Sequence, residues 1–346
     1  MTEAKKRSSW KLILTIVTFV ALAALCYFAQ DQIAETIKNF GEVNNYALIF
    51  MLVGQAINYH SYTRLYMDLF HILNEKVPYK KMLPITLEIN FVNNIFPSGG
   101  VSSFSYFGLR MKAEGISTGK STLVQMMRFI LTFVSFQILL FAGLLFLSLG
   151  GSVNRFALLV AGSLATLLFV GTLIVAYVVG SKRRINMFFT FITRVVNRLI
   201  HIFRPKHPET INIARVERVF TELHENYMEL KSNPKVLRRP LWDALWANIG
   251  EIFTIYVVFI AFGQFVNPGA VIIAYAVANF AGLISVLPGG VGIYEALMTG
   301  VLAAAGVPAG TSLPVIIMYR ILNMLLQLPP GYYFYHKSIR EDKVNV

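Results

Sequence analysis

The stretch Leu287-Pro288-Gly289-Gly290-Val291-Gly292-Ile293-Tyr294-Glu295 decides how this chain is read. Pro288 has no backbone donor, and Gly289, Gly290 and Gly292 release the backbone from ordinary helical dihedrals. In a soluble protein such a stretch is a surface turn. Here it separates two apolar runs, 271–286 and 296–305, each shorter than the roughly 20 residues a membrane span needs. A break so flanked is expected at membrane depth, where non-helical backbone is tolerated only if it is buried in protein or lines a polar cavity.

The stretch has an echo. Phe96-Pro97-Ser98-Gly99-Gly100-Val101 repeats the proline, the glycine pair and the valine, with Ser98 inserted. Gly115-Ile116-Ser117 follows Pro97 at the distance at which Gly306-Val307-Pro308 follows Pro288, and Met126-Met127-Arg128 answers Met318-Tyr319-Arg320. Upstream, Ala56-Ile57-Asn58 lies near the place of Ala247-Asn248-Ile249. Order and spacing together indicate one motif present twice, about 190 residues apart.

Composition sets the class. Of 346 residues, 55% are hydrophobic and 14% charged, so an all-α polytopic membrane protein is expected rather than several soluble domains. The net charge of +13 gathers in segments beside apolar runs, which points to membrane topology and anionic head groups rather than nucleic acid. Cys26 is the single cysteine, so no disulfide can form within the chain.

In chain order, Lys5, Lys6 and Arg7 precede the uncharged run 12–30, an uncleaved first span that with an outer loop makes up residues 1–45. A second span over 46–70, a re-entrant hairpin over 82–119 and a span over 121–149 make up the first repeat, 46–149. Residues 150–180 form a connecting span, and 181–240 a basic cytoplasmic segment with amphipathic character, suited to an anionic membrane surface. The second repeat, 241–336, again holds a hairpin (269–308) between two spans, and 337–346 form a cytoplasmic tail. The expected fold thus has about six full spans and two broken hairpins, with both termini cytoplasmic. Three crossings separate the start of the first repeat from that of the second, so the second is inverted relative to the first. Inverted repeats with broken helices meeting near the bilayer centre are the recurring architecture of secondary transporters.

Ionisable residues inside spans are costly and mark pathways. Arg128 and Arg320 hold matching places after the two hairpins, and a guanidinium can grip phosphate oxygens through two parallel bonds. Glu251 and Glu295 can neutralise the arginines, carry protons or bind a cationic head group. Asn93 and Asn94 make the approach to the first break polar. Pro97, Gly99, Gly100, Pro288, Gly289, Gly290 and Gly292 shape the cavity. Asn58 and Asn248 suit hydrogen bonds between helices. The six histidines show no metal-ligand spacing, and no nucleotide loop or nucleophile elbow is present, so neither a metal nor a cofactor is expected.

With Asn93-Asn94-Ile95-Phe96-Pro97-Ser98-Gly99-Gly100, Leu287-Pro288-Gly289-Gly290-Val291-Gly292-x-x-Glu295 and Arg320 in hand, the chain resembles the lysylphosphatidylglycerol synthase transmembrane-domain family. That family includes the flippase half of the bacterial multiple peptide resistance factor and many stand-alone membrane proteins. The resemblance covers roughly 10–335 and implies movement of a phospholipid, or another lipid-linked anionic group, between the leaflets of the cell membrane. Bifunctional relatives add a soluble synthase domain. The sequence ends at Val346, shortly after the last expected span, so that synthase activity is not expected of it. The alternatives are a membrane-embedded glycolipid or phospholipid transferase and a non-transporting accessory subunit of lipid synthesis. A second copy or a lipid-synthesis enzyme would be a natural protein partner.

Overall fold

A computed structural model describes residues 30–96, 101–149, 234–282 and 292–341, with scattered positions in 20–27 and 159–187. Ten α-helices are described, with no strand among the described residues: α1 (Gln30–Phe40), α2 (Asn45–Leu48), α3 (Met51–Ile72), α4 (Tyr79–Ile95), α5 (Val101–Ala113), α6 (Thr118–Leu149), α7 (Arg238–Ala261), α8 (Pro268–Gly282), α9 (Ile293–Ala304) and α10 (Ala309–Arg340). Pro97, Gly99, Gly100, Pro288, Gly289 and Gly290, nearly all of the expected first span, and most of the expected connecting span and of 181–240 lie outside the described residues.

Among the described residues three helical stretches are long and apolar enough to cross a membrane: Thr118–Leu149, Pro234–Ala261 and Ala309–Arg340. Large apolar side chains stay exposed along them, among them Phe141, Leu145, Trp242, Trp246, Leu325 and Tyr333. A soluble surface would not leave such a belt uncovered, whereas lipid tails cover it at no cost. This is a membrane protein.

Helix lengths recur. From α3 to α6 they are 22, 17, 13 and 32 residues, and from α7 to α10 they are 24, 15, 12 and 32. The caps recur as well. Gly115 after α5 and Gly306 after α9 have φ of 85° and 93°. Beyond each, one amide reaches back five residues, Ile116 N to Met111 O (3.0 Å) and Val307 N to Leu302 O (2.9 Å). This left-handed turn satisfies carbonyls that the helix end would strand, and glycine adopts it without strain. Asn74 after α3 and Gly263 after α7 form a second matching pair, with φ of 59° and 69°.

The two halves interlock. α3 and α7 run antiparallel, with Asn44 N on Ala261 O (2.9 Å), Asn58 Nδ2 on Ala247 O (2.9 Å) and Arg239 Nε on Asp68 Oδ2 (2.9 Å) marking the register from end to end. They touch backbone to backbone at Gly54 and Gly250, where a Cβ on Gly250 would lie 2.7 Å from the Gly54 carbonyl. Small residues at a crossing permit this approach. The short helix of each half packs against the long helix of the other. α4 lies antiparallel to α10, where Phe91 meets Tyr335 and a Cβ on Gly331 would reach the Leu87 carbonyl at 2.9 Å. α8 lies antiparallel to α6, where Gly269 meets the Gly143 carbonyl.

Two apolar cores result. One joins the C-terminal part of α3 with α4, α5, the start of α6 and the end of α10. The other joins α8, α9, the end of α6, the C-terminal part of α7 and the start of α10. Charged residues gather at the end of the bundle that carries the first core. There Lys81 pairs with Glu114 (2.9 Å) and Lys120 with Glu75 (2.7 Å). The first of these bonds joins the start of α4 to the turn after α5, so both outer ends of that helix pair lie at the same end of the bundle.

Several expected boundaries are corrected. The outer loop over 31–45 contains the helix α1, because no glycine or proline interrupts the chain before Gly41, and Asp31 and Lys38 suit the helix dipole at their respective ends. The expected span over 46–70 is divided near Ile49 and Phe50, with Asn44 capping the short α2. α4 starts before residue 82, the expected start of the hairpin, and carries Pro84 within it. α10 continues to Arg340, past the expected end of the last span.

The crossing gives a test. Gly250→Ala should destabilise the protein by about 1–3 kcal/mol, since backbone rather than a movable side chain meets the new methyl. Gly108→Ala, with nothing within 4 Å, should be neutral or stabilising by up to about 1 kcal/mol. Thermal unfolding in detergent compares the two.

Candidate functional site

Between the two apolar cores lies a polar layer to which α3, α4, α6, α7, α9 and α10 all contribute. Glu251 on α7 is its hub and is buried. One carboxylate oxygen accepts from Gln55 Nε2 on α3 (3.0 Å); the other accepts from Asn323 Nδ2 (2.7 Å) and from the Tyr319 hydroxyl on α10. All three partners are neutral, and among the described residues no ion pair reaches Glu251.

The layer continues towards the first break. Gln327 Nε2 donates to Gln55 Oε1 (3.0 Å), and Gln327 Oε1 accepts from Asn90 Nδ2 (3.0 Å) and Asn94 Nδ2 (3.3 Å). An ionised carboxylate can only accept, so Gln55 must turn its amide nitrogen to Glu251, which leaves its oxygen for Gln327. Each amide thereby orients the next, out to the last turns of α4. Asn93 is exposed, and its side-chain oxygen accepts from Ser103 Oγ (3.4 Å). Asn58 and Asn248 serve helix contacts: Asn58 bonds the Ala247 carbonyl, and Asn248 donates to Ser135 Oγ and accepts from the Tyr275 hydroxyl.

The two arginines differ. Arg320 is buried and donates through a terminal guanidinium nitrogen to Glu295 Oε1 at 2.7 Å. Glu295 Oε2 accepts from Gly292 N (2.7 Å), so one carboxylate holds both the arginine and the first turn of α9. Gly292 has φ of 89°, a conformation costly for any residue with a Cβ. Arg128 on α6 is half-buried over aromatic faces, 4.5 Å from the Phe129 ring centre and 5.7 and 5.8 Å from those of Tyr66 and Tyr62. Its Nε has no hydrogen-bond partner among the described residues. No carboxylate pairs with it there.

Sequence reasoning did not pair Glu88 with Arg110, which together form a second ionic centre. Glu88 on α4 accepts from Arg110 Nε (2.9 Å), the Tyr106 hydroxyl (2.8 Å) and Ser338 Oγ on α10 (2.6 Å). Arg110 also reaches Glu114 (3.2 Å). It also missed Tyr319, Asn323 and Gln327, although their spacing of four places them on one face of α10. That polar stripe in an otherwise apolar helix was the available signal.

The family model for the lysylphosphatidylglycerol synthase transmembrane region matches residues 10–331. The chain belongs to that family. Membership gives it a lipid-related membrane role. A UPF0104 membrane protein of Methanothermobacter thermautotrophicus is 36% identical over 84 residues, a match covering 24% of this chain and 25% of that protein. The chain therefore matches about a quarter of that relative's length. In this family member the polar layer draws on both ends of the sequence.

Two outcomes follow from the ion pairs. Glu295→Gln keeps an acceptor for Gly292 N but removes the charge facing Arg320, and should cost about 3–5 kcal/mol. Adding Arg320→Gln should recover most of that loss, read by thermal unfolding of the single and double variants. Glu114, in the turn after α5, titrates differently from a free carboxyl. Burial raises its pKa, but hydrogen bonds from Lys81 and Arg110, with their charges, outweigh burial and hold it below the ordinary range. Its contribution is therefore present above the ordinary glutamate pKa of about 4.3 and lost as pH falls through the lower folded-state value. Glu114→Gln should flatten the acid side of a plot of melting temperature against pH.

Proposed function

We propose that this protein is a lipid transporter that moves an anionic phospholipid or lipid-linked head group between leaflets, and that it is not itself an enzyme. The observation that carries this reading is Arg128: a guanidinium inside a long apolar helix, with an Nε that has no hydrogen-bond partner and no carboxylate paired with it among the described residues. Such a group is expensive in a membrane unless an anion visits it. Phosphate matches it in charge and in geometry. Arg320 is committed to Glu295, so it takes a phosphate only by releasing that carboxylate.

Supporting arguments come from the fold. Matching helix lengths and antiparallel, reciprocal packing support two inverted repeats. Short helices paired as α4–α5 and α8–α9 suit hairpins that enter and leave on one side. The charged end of the bundle faces the cytoplasm in this reading, with both termini there, in the cell membrane. Residues 181–240 then lie against its anionic surface.

Liposomes holding the purified protein test the reading. A fluorescent phosphatidylglycerol should cross faster than in empty liposomes, and Arg128→Ala should slow it about tenfold, the effect of losing one charge-assisted contact. A neutral lipid should be little affected by that change. No movement above empty liposomes for any lipid would sink the transporter reading.

A further inference from the structure

The amide chain leading from Glu251 carries an inference about what the transporter binds besides lipid. It rests on the transporter reading above. Of the buried carboxylates in the bundle, Glu88 has Arg110 and Glu295 has Arg320. Among the described residues Glu251 has only neutral donors: Gln55, Tyr319 and Asn323. The titratable groups facing it are Tyr59 and Tyr62 from α3, Tyr275 from α8, Tyr294 from α9 and Tyr319 from α10. The nearby cations meet this ring of tyrosines rather than Glu251 itself, Arg128 over Tyr62 and Arg320 over Tyr294.

We propose that Glu251 is a proton-binding site, and that its charge state sets the grip of α10 on α4. With Glu251 ionised, every donor points towards it: Asn90 and Asn94 to Gln327, Gln327 to Gln55, Gln55 to Glu251. The charge at the hub orders three amide steps. A proton taken from water converts one carboxylate oxygen into a donor, and that donor needs an acceptor. Gln55 supplies it by turning its oxygen towards Glu251, which presents its nitrogen to Gln327. Gln327 then turns in response and faces Asn90 and Asn94 with a donor, where those residues also offer donors. Two bonds that tie the end of α4 to α10 are lost. Release of the proton restores them. α4 leads into Pro97, so the proton is placed to move the helix approaching the first Pro-Ser-Gly-Gly break. Ionisable groups in membrane bundles serve proton-coupled transport in this manner.

The test has two readouts. Infrared difference spectra over a pH titration should show the C=O stretch of a protonated carboxyl that is missing in E251Q. In liposomes, an imposed proton gradient should change the rate of lipid movement by wild type and leave E251Q indifferent. Gln327→Leu retains the carboxyl and breaks the chain, so it should keep the infrared signal and lose the gradient response. It also serves if E251Q fails to fold. Lipid movement that ignores the gradient in wild type, or responds to it in E251Q, would overturn the proposal while leaving the transporter intact. If no lipid moves at all, the transporter reading fails instead. The absence of a carboxyl signal that depends on Glu251 would then overturn the proton site as well.

Discussion

The bundle depends on two helices meeting without side chains between them. At Gly54 and Gly250 the backbones of α3 and α7 come close enough that a methyl on either would collide. That contact places Gln55 beside Glu251 and Asn58 beside the Ala247 carbonyl. In apolar surroundings each of those polar groups must find a partner within the protein, because nothing outside offers one. Close approach and polar satisfaction are therefore one constraint: a wider crossing would separate donors from acceptors throughout the layer.

Much of the fold was legible in the sequence, for physical reasons. Proline and glycine placement marks where helices must stop, so the short-short-long order after α3 and after α7 could be read from the Pro-Gly-Gly motifs and from Gly115 and Gly306. The apolar runs marked α6, α7 and α10. The site was legible only in part. Glu251, Glu295, Arg128 and Arg320 stood out as charges in apolar helices. Which carboxylate meets which arginine did not, because Arg320 meets Glu295 and Glu88 meets Arg110 through angles between helices that spacing along the chain does not encode. The α1 helix was read as a loop because its charges suggested solvent, although polar residues in a run without glycine or proline also build an amphipathic helix.

Where the halves agree in backbone they differ in charge. Arg128 and Arg320 hold corresponding places on α6 and α10, yet among the described residues only Arg320 has a carboxylate partner, supplied by Glu295 at the start of α9. The first half spends its own carboxylate, Glu88, on Arg110 at the charged end of the bundle. Similar scaffolds thus hold one guanidinium against a carboxylate and the other over aromatic rings. The two halves are chemically unlike at matching positions even though their helices are built alike.

The reciprocal packing also governs how the protein is made. Gln55 and Gln327 are 272 residues apart, and Glu88 and Ser338 are separated by 250. Translation at roughly 5–20 residues per second leaves about 10–50 seconds between synthesis of the first member of each pair and its partner. Throughout that interval α4 has no α10 to lie against, and the polar residues along it sit in a nascent half-protein. Insertion machinery, water or lipid head groups must shelter them until α10 arrives. The step most exposed to failure during biogenesis is therefore the docking of α10, and variants that weaken its polar stripe should be cleared by quality control before they reach the membrane in working form.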